Sequence, residues 1–360
     1  MSILNQGWSR RRLLKTTAIA GAALAAPAIW TPSRAEGKRI VVRDDGGIYT
    51  KAYGAVFYGP FQEATGIEVV GVQANAEPTA QIRSMVDAGA YTWDMAKISQ
   101  PAILMLTSGD KKYLEPHGLE SDPVIATMPK QYMSEYGVGN NVYTTVLAYR
   151  SDAFEGREAP KSWADFFNVE GFEGRRALRK HPFDTIEQAL LADGVATKDV
   201  YPCDIDRAFK KLDTIKQNID VFWTSGAQVE QMLTSGEVDV IPTWVSRAQS
   251  ARAGGAPVEI VWDQNIWGLD SWSILAGTPN ADACREFIKF ASDAKRQAAL
   301  MEYFAAGVTQ PSAFDMIDPK VAQDSPTFPK NIESGVQIDA KYWLDNQAAV
   351  IERYNSWLLT

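Results

Sequence analysis

The sequence predicts an α/β protein of two lobes, in which each lobe has a mainly parallel sheet flanked by helices. Short β-branched runs alternate with segments whose apolar residues recur at helical spacing, which is typical of a parallel sheet covered by helices. The alternation occurs in two series, and predicted strands near residues 144–150 and 268–275 cross from one series to the other. A chain of 360 residues also agrees with two domains of roughly 150 residues each.

The first series contains three predicted strands, each followed by a helix. The strands cover 39–45, 67–72 and 93–99, and the helices cover 49–64, 78–88 and a segment that begins at Pro101. Gly46-Gly47 and Thr65-Gly66 are turn signals between these elements. Proline fits the first turn of a helix because the amide hydrogen that it lacks would have no partner there.

The second series contains more elements, and a strand at 270–277 follows it. Ser162 is a predicted N-cap, and Gly236 is the residue at which a helix is expected to end. The segment 306–338 is rich in Pro, Asp and Ser and is expected to follow the surface. We predict one lobe over 36–144 and 270–325 and the other over 145–269 and 326–360. The strands of this series are predicted at 142–150, 175–179, 219–223, 238–244 and 258–262, and its helices at 184–192, 205–215, 226–235 and 246–253. Helices at 281–305 and 339–358 are predicted after the strand at 270–277.

The N-terminus has the pattern of an export signal. A twin arginine, Arg10-Arg11, lies in the run SRRRLLK and is followed by a weakly hydrophobic stretch that ends at Ser33-Arg34-Ala35. This pattern predicts a twin-arginine signal peptide over residues 1–35 and a mature protein in the periplasm. A membrane anchor is the alternative, but it needs about 20 strongly apolar residues, and Pro27 and Pro32 interrupt this stretch.

The charge of the chain excludes some partners. The whole sequence has 36 basic and 44 acidic residues, and the first 35 residues contain five basic residues and no acidic one. The remaining chain therefore has 31 basic and 44 acidic residues, a net charge of −13. Nucleic acids and anionic membranes both need a basic surface, so neither is an expected partner, and direct insertion into a membrane is not expected.

No known catalytic or cofactor motif is present. The sequence lacks GxGxxG after the first strand, GxxxxGK[ST], HExxH and GxSxG. Two histidines and no CxxC argue against a zinc site. We therefore expect no enzyme, no metal and no cofactor, although an exported hydrolase that uses two carboxylates stays open. An oxidising compartment would permit a disulfide between Cys203 and Cys284, and the sequence leaves that pairing undecided.

Seven segments, in matching order, resemble the spermidine/putrescine-binding family of ABC-transporter receptors. They are residues 46–70, 143–154, 162–167, 172–178, 222–244, 253–262 and 280–293. The resemblance implies the type II periplasmic-binding-protein fold, with two lobes, a hinge and a ligand cleft between them. It also implies capture of a small solute by closure, a monomeric receptor, and delivery to an ABC permease in the inner membrane.

The resemblance also implies where the ligand binds. In such receptors aromatic rings flank the ligand and carboxylates take its ammonium groups, because an ammonium is attracted to ring faces and forms charge-assisted hydrogen bonds. A core role for Trp244 and a capping role for Asp184 are the structural alternatives. The positions implied by the family, together with further candidates from strand ends and helix starts, are Asp45, Tyr49, Ser99, His181, Asp184, Trp223, Ser225, Trp244, Arg247, Asp270 and Trp343.

Three positions depart from the family pattern. His181 replaces an acid, Gly268 replaces an aromatic residue at a strand end, and Gly307 replaces a tyrosine. A site with one acidic end at Asp270 and one basic end at Arg179 and Arg247 suits a zwitterion better than a polyamine. We predict a small amine-bearing solute, either a polyamine or an ω-amino acid such as γ-aminobutyrate. A small organic anion is the alternative on the same fold, and a ferric-ion receptor is disfavoured because the tyrosines are scattered.

Overall fold

The computed structural model describes residues 38–74 and 78–360. The predicted signal peptide and its cleavage point lie outside these residues. The described part contains eleven strands, of which two are much longer than the others: β1 (Arg39–Asp44), β2 (Glu68–Gln73), β3 (Met95–Ser99), β4 (Leu114–Glu115), β5 (Met133–Ser134), β6 (Gly137–Arg150), β7 (Arg176–Arg179), β8 (Ile219–Trp223), β9 (Val240–Trp244), β10 (Val258–Leu275) and β11 (Val336–Gln337).

The helices follow the strands in the predicted alternation. Half of them begin at a residue whose side chain accepts a hydrogen bond from the first turn, such as Asp204, Ser225 and Asp339. A π-helical segment, Gly54–Tyr58, joins the first two. The α-helices of the described residues are α1 (Ile48–Tyr53), α2 (Gly59–Thr65), α3 (Thr79–Ala88), α4 (Gln100–Thr107), α5 (Trp163–Phe167), α6 (Thr185–Ala192), α7 (Ile205–Asp213), α8 (Gly226–Ser235), α9 (Val245–Ala253), α10 (Ala281–Ala291), α11 (Ala294–Leu300), α12 (Pro319–Ala322), α13 (Pro329–Glu333) and α14 (Ala340–Leu359).

One sheet runs through the molecule in the order β2-β1-β3-β10-β6-β9-β7-β8. In the first half of the sheet, β1 pairs in parallel with β2 and β3. In the second half, β7 pairs in parallel with β8 and β9. The long strands β6 and β10 are antiparallel to each other, and β10 pairs with β3 while β6 pairs with β9. The two parallel groups are therefore joined by two strands that both extend into each half.

The prediction of separate strands at 258–262 and 270–277 was wrong, because the structure joins them into β10. The residues between them, DQNIWGL, contain turn-forming side chains, which is why they resemble a loop. The structure accommodates them with a register shift between Val261 and Ile266, where Gln264 has a φ of 55°. The carbonyl of Gln264 accepts a hydrogen bond from the indole of Trp163, at 2.8 Å.

Two further predictions needed correction near the C-terminus. The helix predicted at 281–305 ends at Ala291 and restarts at Ala294, because Asp293 caps the new helix with its side chain. The segment 306–338 does more than follow the surface, since Val308 and Ala313 are buried in the core that packs against the first half of the sheet.

Apolar clusters cover both halves of the sheet. Trp272 and Phe287 belong to the largest cluster of the first half, and Trp163 and Tyr354 belong to the largest cluster of the second half. Cys203 and Cys284 are both buried free thiols, one in each of these clusters. Burial raises the pKa of both thiols, so they are unreactive at neutral pH.

Candidate functional site

The strand register brings the carboxyl ends of the two parallel groups to face each other. Strand β3 ends at Ser99, which is opposite Asp270 of β10, and Asp270 is opposite Asn141 of β6. Strand β9 approaches from the other direction and ends at Trp244, opposite Thr145 of β6. Four residues of β6 separate these levels, about 13 Å at 3.3 Å per residue. Ligands of open α/β sheets bind at such carboxyl ends, so this region is the candidate site.

On the side of the first half, five residues form what we call the lysine cluster: Arg43, Asp45, Tyr49, Lys97 and Asp270. Lys97 is 2% exposed, and its ammonium lies between two carboxylates, with Asp270 Oδ2 at 2.5 Å and Asp45 Oδ2 on the other side. The same ammonium is 4.9 Å from the ring centroid of Tyr49. The guanidinium of Arg43 contacts Asp45 Oδ1 at 3.0 Å and donates to the carbonyl of Lys97 at 2.7 Å.

The electrostatics of the lysine cluster keep Lys97 charged. Burial disfavours the ammonium, but the carboxylates of Asp270 and Asp45 outweigh burial and hold the pKa of Lys97 well above its ordinary value. Burial also works against the Asp45 carboxylate, and Lys97 and Arg43 together lower its pKa despite this. Burial raises the pKa of Asp270, and Lys97 opposes that rise. With all four groups ionised, the positive and negative charges balance.

On the side of the second half, five residues form what we call the arginine cluster: Arg179, Asp184, Trp223, Trp244 and Arg247. The guanidinium of Arg179 lies 4.9 Å from the ring centroid of Trp244 and 5.7 Å from that of Trp223. Arg179 donates to Asp184 Oδ2 at 3.1 Å, and the hydroxyl of Thr145 donates to the same oxygen at 2.9 Å. The two tryptophans meet edge to face at 5.4 Å.

Arg247 supplies the second cation of the arginine cluster. Its Nη1 lies 3.6 Å from Glu230 Oε2, while its Nε is buried without a hydrogen-bond partner among the described residues. The guanidinium packs against Gly226, where a Cβ atom would overlap Nε. Arg247 also reaches toward the other cluster, because its charge opposes the rise in the pKa of Tyr49 that burial causes. Arg247, whose side chain is 35% exposed, is therefore the member of the arginine cluster whose charge acts on the lysine cluster.

The structure brings most of the predicted residues together. Asp45, Tyr49 and Asp270 meet in the lysine cluster, and Ser99 lies beside Asp270 as the N-cap of α4, accepting from the amide of Ala102. The predicted residues Asp184, Trp223 and Trp244 meet around Arg179, and the predicted Arg247 packs against Gly226 at the start of α8. Ser225 lies at the start of α8, where its hydroxyl accepts from the amide of Gln228 at 3.3 Å.

His181 and Trp343 lie behind the arginine cluster. The ring of His181 packs on Phe183, and burial together with the charge of Arg179 lowers the pKa of this histidine to about 4. Trp343 is fully buried, its ring centroid lies 4.2 Å from that of Phe183, and it donates its indole hydrogen to Glu187 at 2.7 Å. Trp343 therefore packs in the core, where its described contacts are with Phe183, Glu187, Tyr201 and Tyr342.

The sequence-based prediction missed Lys97, Thr145 and Tyr143. Tyr143 is opposite Gly268 across β6 and β10, and a Cβ at Gly268 would overlap the tyrosine ring. Because Gly268 and Asp270 are two residues apart on β10, this ring lies on the face that carries Asp270. The ring of Tyr143 thus occupies the volume in which the family pattern places an aromatic side chain at position 268. Trp267 does not replace it, since its ring packs against Tyr132 in the core.

Two features are absent from the described residues, a metal-binding cluster and a membrane-spanning helix. Within 38–74 and 78–360, no three His, Cys, Asp or Glu side chains are grouped so that they could hold a metal ion. The same part of the chain has no helix long and apolar enough to cross a membrane.

Comparison with known proteins identifies the family. Residues 58–330 match the family model described as bacterial extracellular solute-binding protein. The chain is 34% identical to a gamma-aminobutyric acid-binding protein of Pseudomonas aeruginosa over 334 residues, 90% of this chain and 92% of that protein. It is 25% identical to a spermidine/putrescine-binding periplasmic protein of Salmonella typhimurium, over 75% of this chain and 78% of that protein.

A solved structure supports the same assignment. An ABC-transporter substrate-binding protein from Bradyrhizobium japonicum superposes with a TM-score of 0.83 at 35% identity, and the match covers 89% of this chain and 99% of that one. The predicted type II, two-lobed α/β fold is thereby confirmed. The chain belongs to the bacterial extracellular solute-binding proteins, the family of substrate-binding receptors that bind small molecules for ABC importers.

Proposed function

We propose that this receptor captures a small amine-bearing solute between the lysine cluster and the arginine cluster, and that its preferred ligand is a zwitterionic ω-amino acid such as γ-aminobutyrate. The ammonium of the ligand would lie against Asp270, Asp45 and Tyr49, and its carboxylate against Arg247. Both interactions are charge-assisted hydrogen bonds, which are stronger than neutral ones. The relatives that bind gamma-aminobutyric acid and spermidine or putrescine support an amine-bearing ligand for this chain as well.

The balance of charge within the lysine cluster and the arginine cluster is the observation that favours a zwitterionic ligand. Lys97 and Arg43 balance Asp45 and Asp270, while Arg179 pairs with Asp184 and Arg247 with Glu230. The low pKa of His181 keeps it neutral at pH 7. A zwitterion adds one charge of each sign and preserves this balance. A diamine adds two positive charges, and a buried charge without a partner is costly.

The same proposal includes the boundaries of the two lobes and the export route of the protein. The lobes would be residues 36–144 with 270–325 and residues 145–269 with 326–360, joined through β6 and β10. A ligand that contacts both clusters binds the closed arrangement better than the open one, and this difference drives closure about the hinge. The protein would reach the periplasm by the twin-arginine route, act as a monomer and deliver its ligand to the permease.

Calorimetric titration of the purified mature protein tests the ligand class. The panel is γ-aminobutyrate, putrescine, spermidine and succinate, at pH 7. We expect γ-aminobutyrate to bind more tightly than putrescine, and no heat with any of the three amines would contradict the proposal. The two arginines of the arginine cluster favour a small organic anion as the second candidate. Binding of succinate alone would establish that alternative.

A further inference from the structure

Lys97 is an unusual residue for its position. It lies within β3, between neighbours that are all buried, and its own side chain is 2% exposed. Lysine is among the residues least often buried, and an ion pair in a protein interior is frequently no more stabilising than apolar residues of the same volume. Stability alone therefore gives no reason for a lysine here, and its surroundings suggest another role.

The surroundings of the Lys97 ammonium have the features expected of a site for a ligand ammonium. Two carboxylates contact it, one from Asp45 just after β1 and one from Asp270 of β10, and the face of Tyr49 lies 4.9 Å away. Carboxylates and an aromatic face are the groups that bind an ammonium. The chain thus supplies from its own sequence a cation of the kind that the acids would otherwise take from a ligand.

We propose that Lys97 is a specificity-determining residue, which restricts the site to ligands with a single ammonium group by neutralising the acid pair. This inference rests on the proposed function and deepens it. The ligand's ammonium has to share the two carboxylates with Lys97, and their exposed fractions, 18% for Asp270 and 33% for Asp45, leave room for that.

Among the described residues, neither acid that pairs with the arginines is free to take a second ammonium. Asp184 is buried and accepts hydrogen bonds from Arg179 and Thr145, and Glu230 forms an ion pair with Arg247. A diamine in the wild-type site would therefore place at least one ammonium beside a guanidinium. Without Lys97, the acid pair would carry an uncompensated negative charge, and a more cationic ligand would restore neutrality. Removal of Lys97 should accordingly shift selectivity toward diamines.

The test is the ratio of the dissociation constants of putrescine and γ-aminobutyrate, measured by calorimetry at pH 7. Lys97→Met removes the charge, and Lys97→Gln removes it while keeping a polar head. Lys111→Met is the matched control, because Lys111 also pairs with an aspartate, Asp87, and lies 5.2 Å from the ring of Tyr113, but on the exposed surface. Circular dichroism and thermal unfolding establish whether each variant is folded.

We expect the ratio to fall at least tenfold in Lys97→Met and Lys97→Gln and to stay at the wild-type value in Lys111→Met. An unchanged ratio in the folded Lys97 variants would overturn the inference, even if the wild type binds γ-aminobutyrate. Failure of both Lys97 variants to fold would also overturn it, since Lys97 would then be a structural residue. Failure of the wild-type protein to bind any amine would instead contradict the proposed function itself.

Discussion

The lysine cluster and the arginine cluster both hold a cation against an aromatic ring and a carboxylate, but they differ in what remains available. In the lysine cluster the two carboxylates keep part of their surface exposed, so acceptor capacity remains. In the arginine cluster the carboxylate of Asp184 is buried, whereas the side chain of Arg247 is 35% exposed. One side therefore offers acceptors and the other offers a donor, so the two sides suit opposite ends of a ligand.

The largest expected effect tests the acceptor side. Asp270→Asn should weaken the binding of γ-aminobutyrate about 10- to 100-fold, or about 1.5–3 kcal/mol, because it removes a charged hydrogen-bond acceptor. Calorimetry measures this effect. Asp282→Asn is the control, since the Asp282 side chain is almost fully exposed on α10. Wild-type affinity in Asp270→Asn would remove Asp270 from the binding site.

The donor side is tested with two ligands. Arg247→Met should weaken γ-aminobutyrate by about 1.5–3 kcal/mol, because the ligand's carboxylate loses a charged partner. The same substitution should leave the affinity for n-butylamine, which has no carboxylate, within twofold of wild type. Arg252→Met, on the same helix and paired with Asp324, is the control. Equal losses for both ligands would mean that Arg247 supports the structure and does not contact the carboxylate.

Two groups behind the arginine cluster should make stability depend on pH in opposite directions. Burial raises the pKa of Glu187 to about 7, so its contribution to the free energy of unfolding falls as pH rises from about 4.5 to about 7. Burial and Arg179 lower the pKa of His181 to about 4, so its contribution rises as pH rises from about 4 to about 6.5. Between pH 5.0 and 6.5 the two contributions oppose each other.

Urea unfolding at pH 5.0 and 6.5 separates these two contributions. We compare the change in the free energy of unfolding between pH 5.0 and pH 6.5. In Glu187→Gln this change should be about 2 kcal/mol more positive than in the wild type, at 1.36 kcal/mol per pH unit. In His181→Asn the same change should be about 1 kcal/mol less positive than in the wild type. The effect is smaller because His181 is only partly buried and solvent screens its charge. The same pH dependence in both variants and the wild type would contradict the raised and lowered pKa values.

The smallest expected effect concerns the packing of Arg247. Gly226→Ala would place a methyl group where Nε of Arg247 lies and so displace the guanidinium. Because a side chain can move more easily than backbone, we expect normal stability and about fivefold weaker binding of γ-aminobutyrate, close to 1 kcal/mol. Gly54→Ala is the control, since no atom outside its own helix lies near the added methyl group. Unchanged affinity in Gly226→Ala would show that the position of Arg247 is not important for binding.

The site residues differ in how far the sequence could predict them. Asp45, Trp223 and Trp244 lie at or just after the ends of predicted strands, and such ends meet at one edge of a parallel group. Lys97 could not be found in this way, because it lies within a strand and its partner Asp270 is 173 residues away. Trp343 was a further candidate late in the chain, but a sequence does not reveal that its indole hydrogen goes to buried Glu187. Periodicity therefore predicted the fold, while the pairing of distant strands determined the clusters.

The contact between Gly268 and Tyr143 means that the residue type at each of these positions restricts the residue type at the other. The tyrosine ring lies where a side chain at position 268 would begin, so the two positions share one volume. Protein interiors are closely packed, and a large residue at both positions would be overpacked. A relative with an aromatic residue in place of Gly268 is therefore expected to have a small residue in place of Tyr143. The two positions should covary within the family. The strand that contributes the aromatic ring would then distinguish two arrangements of the binding site.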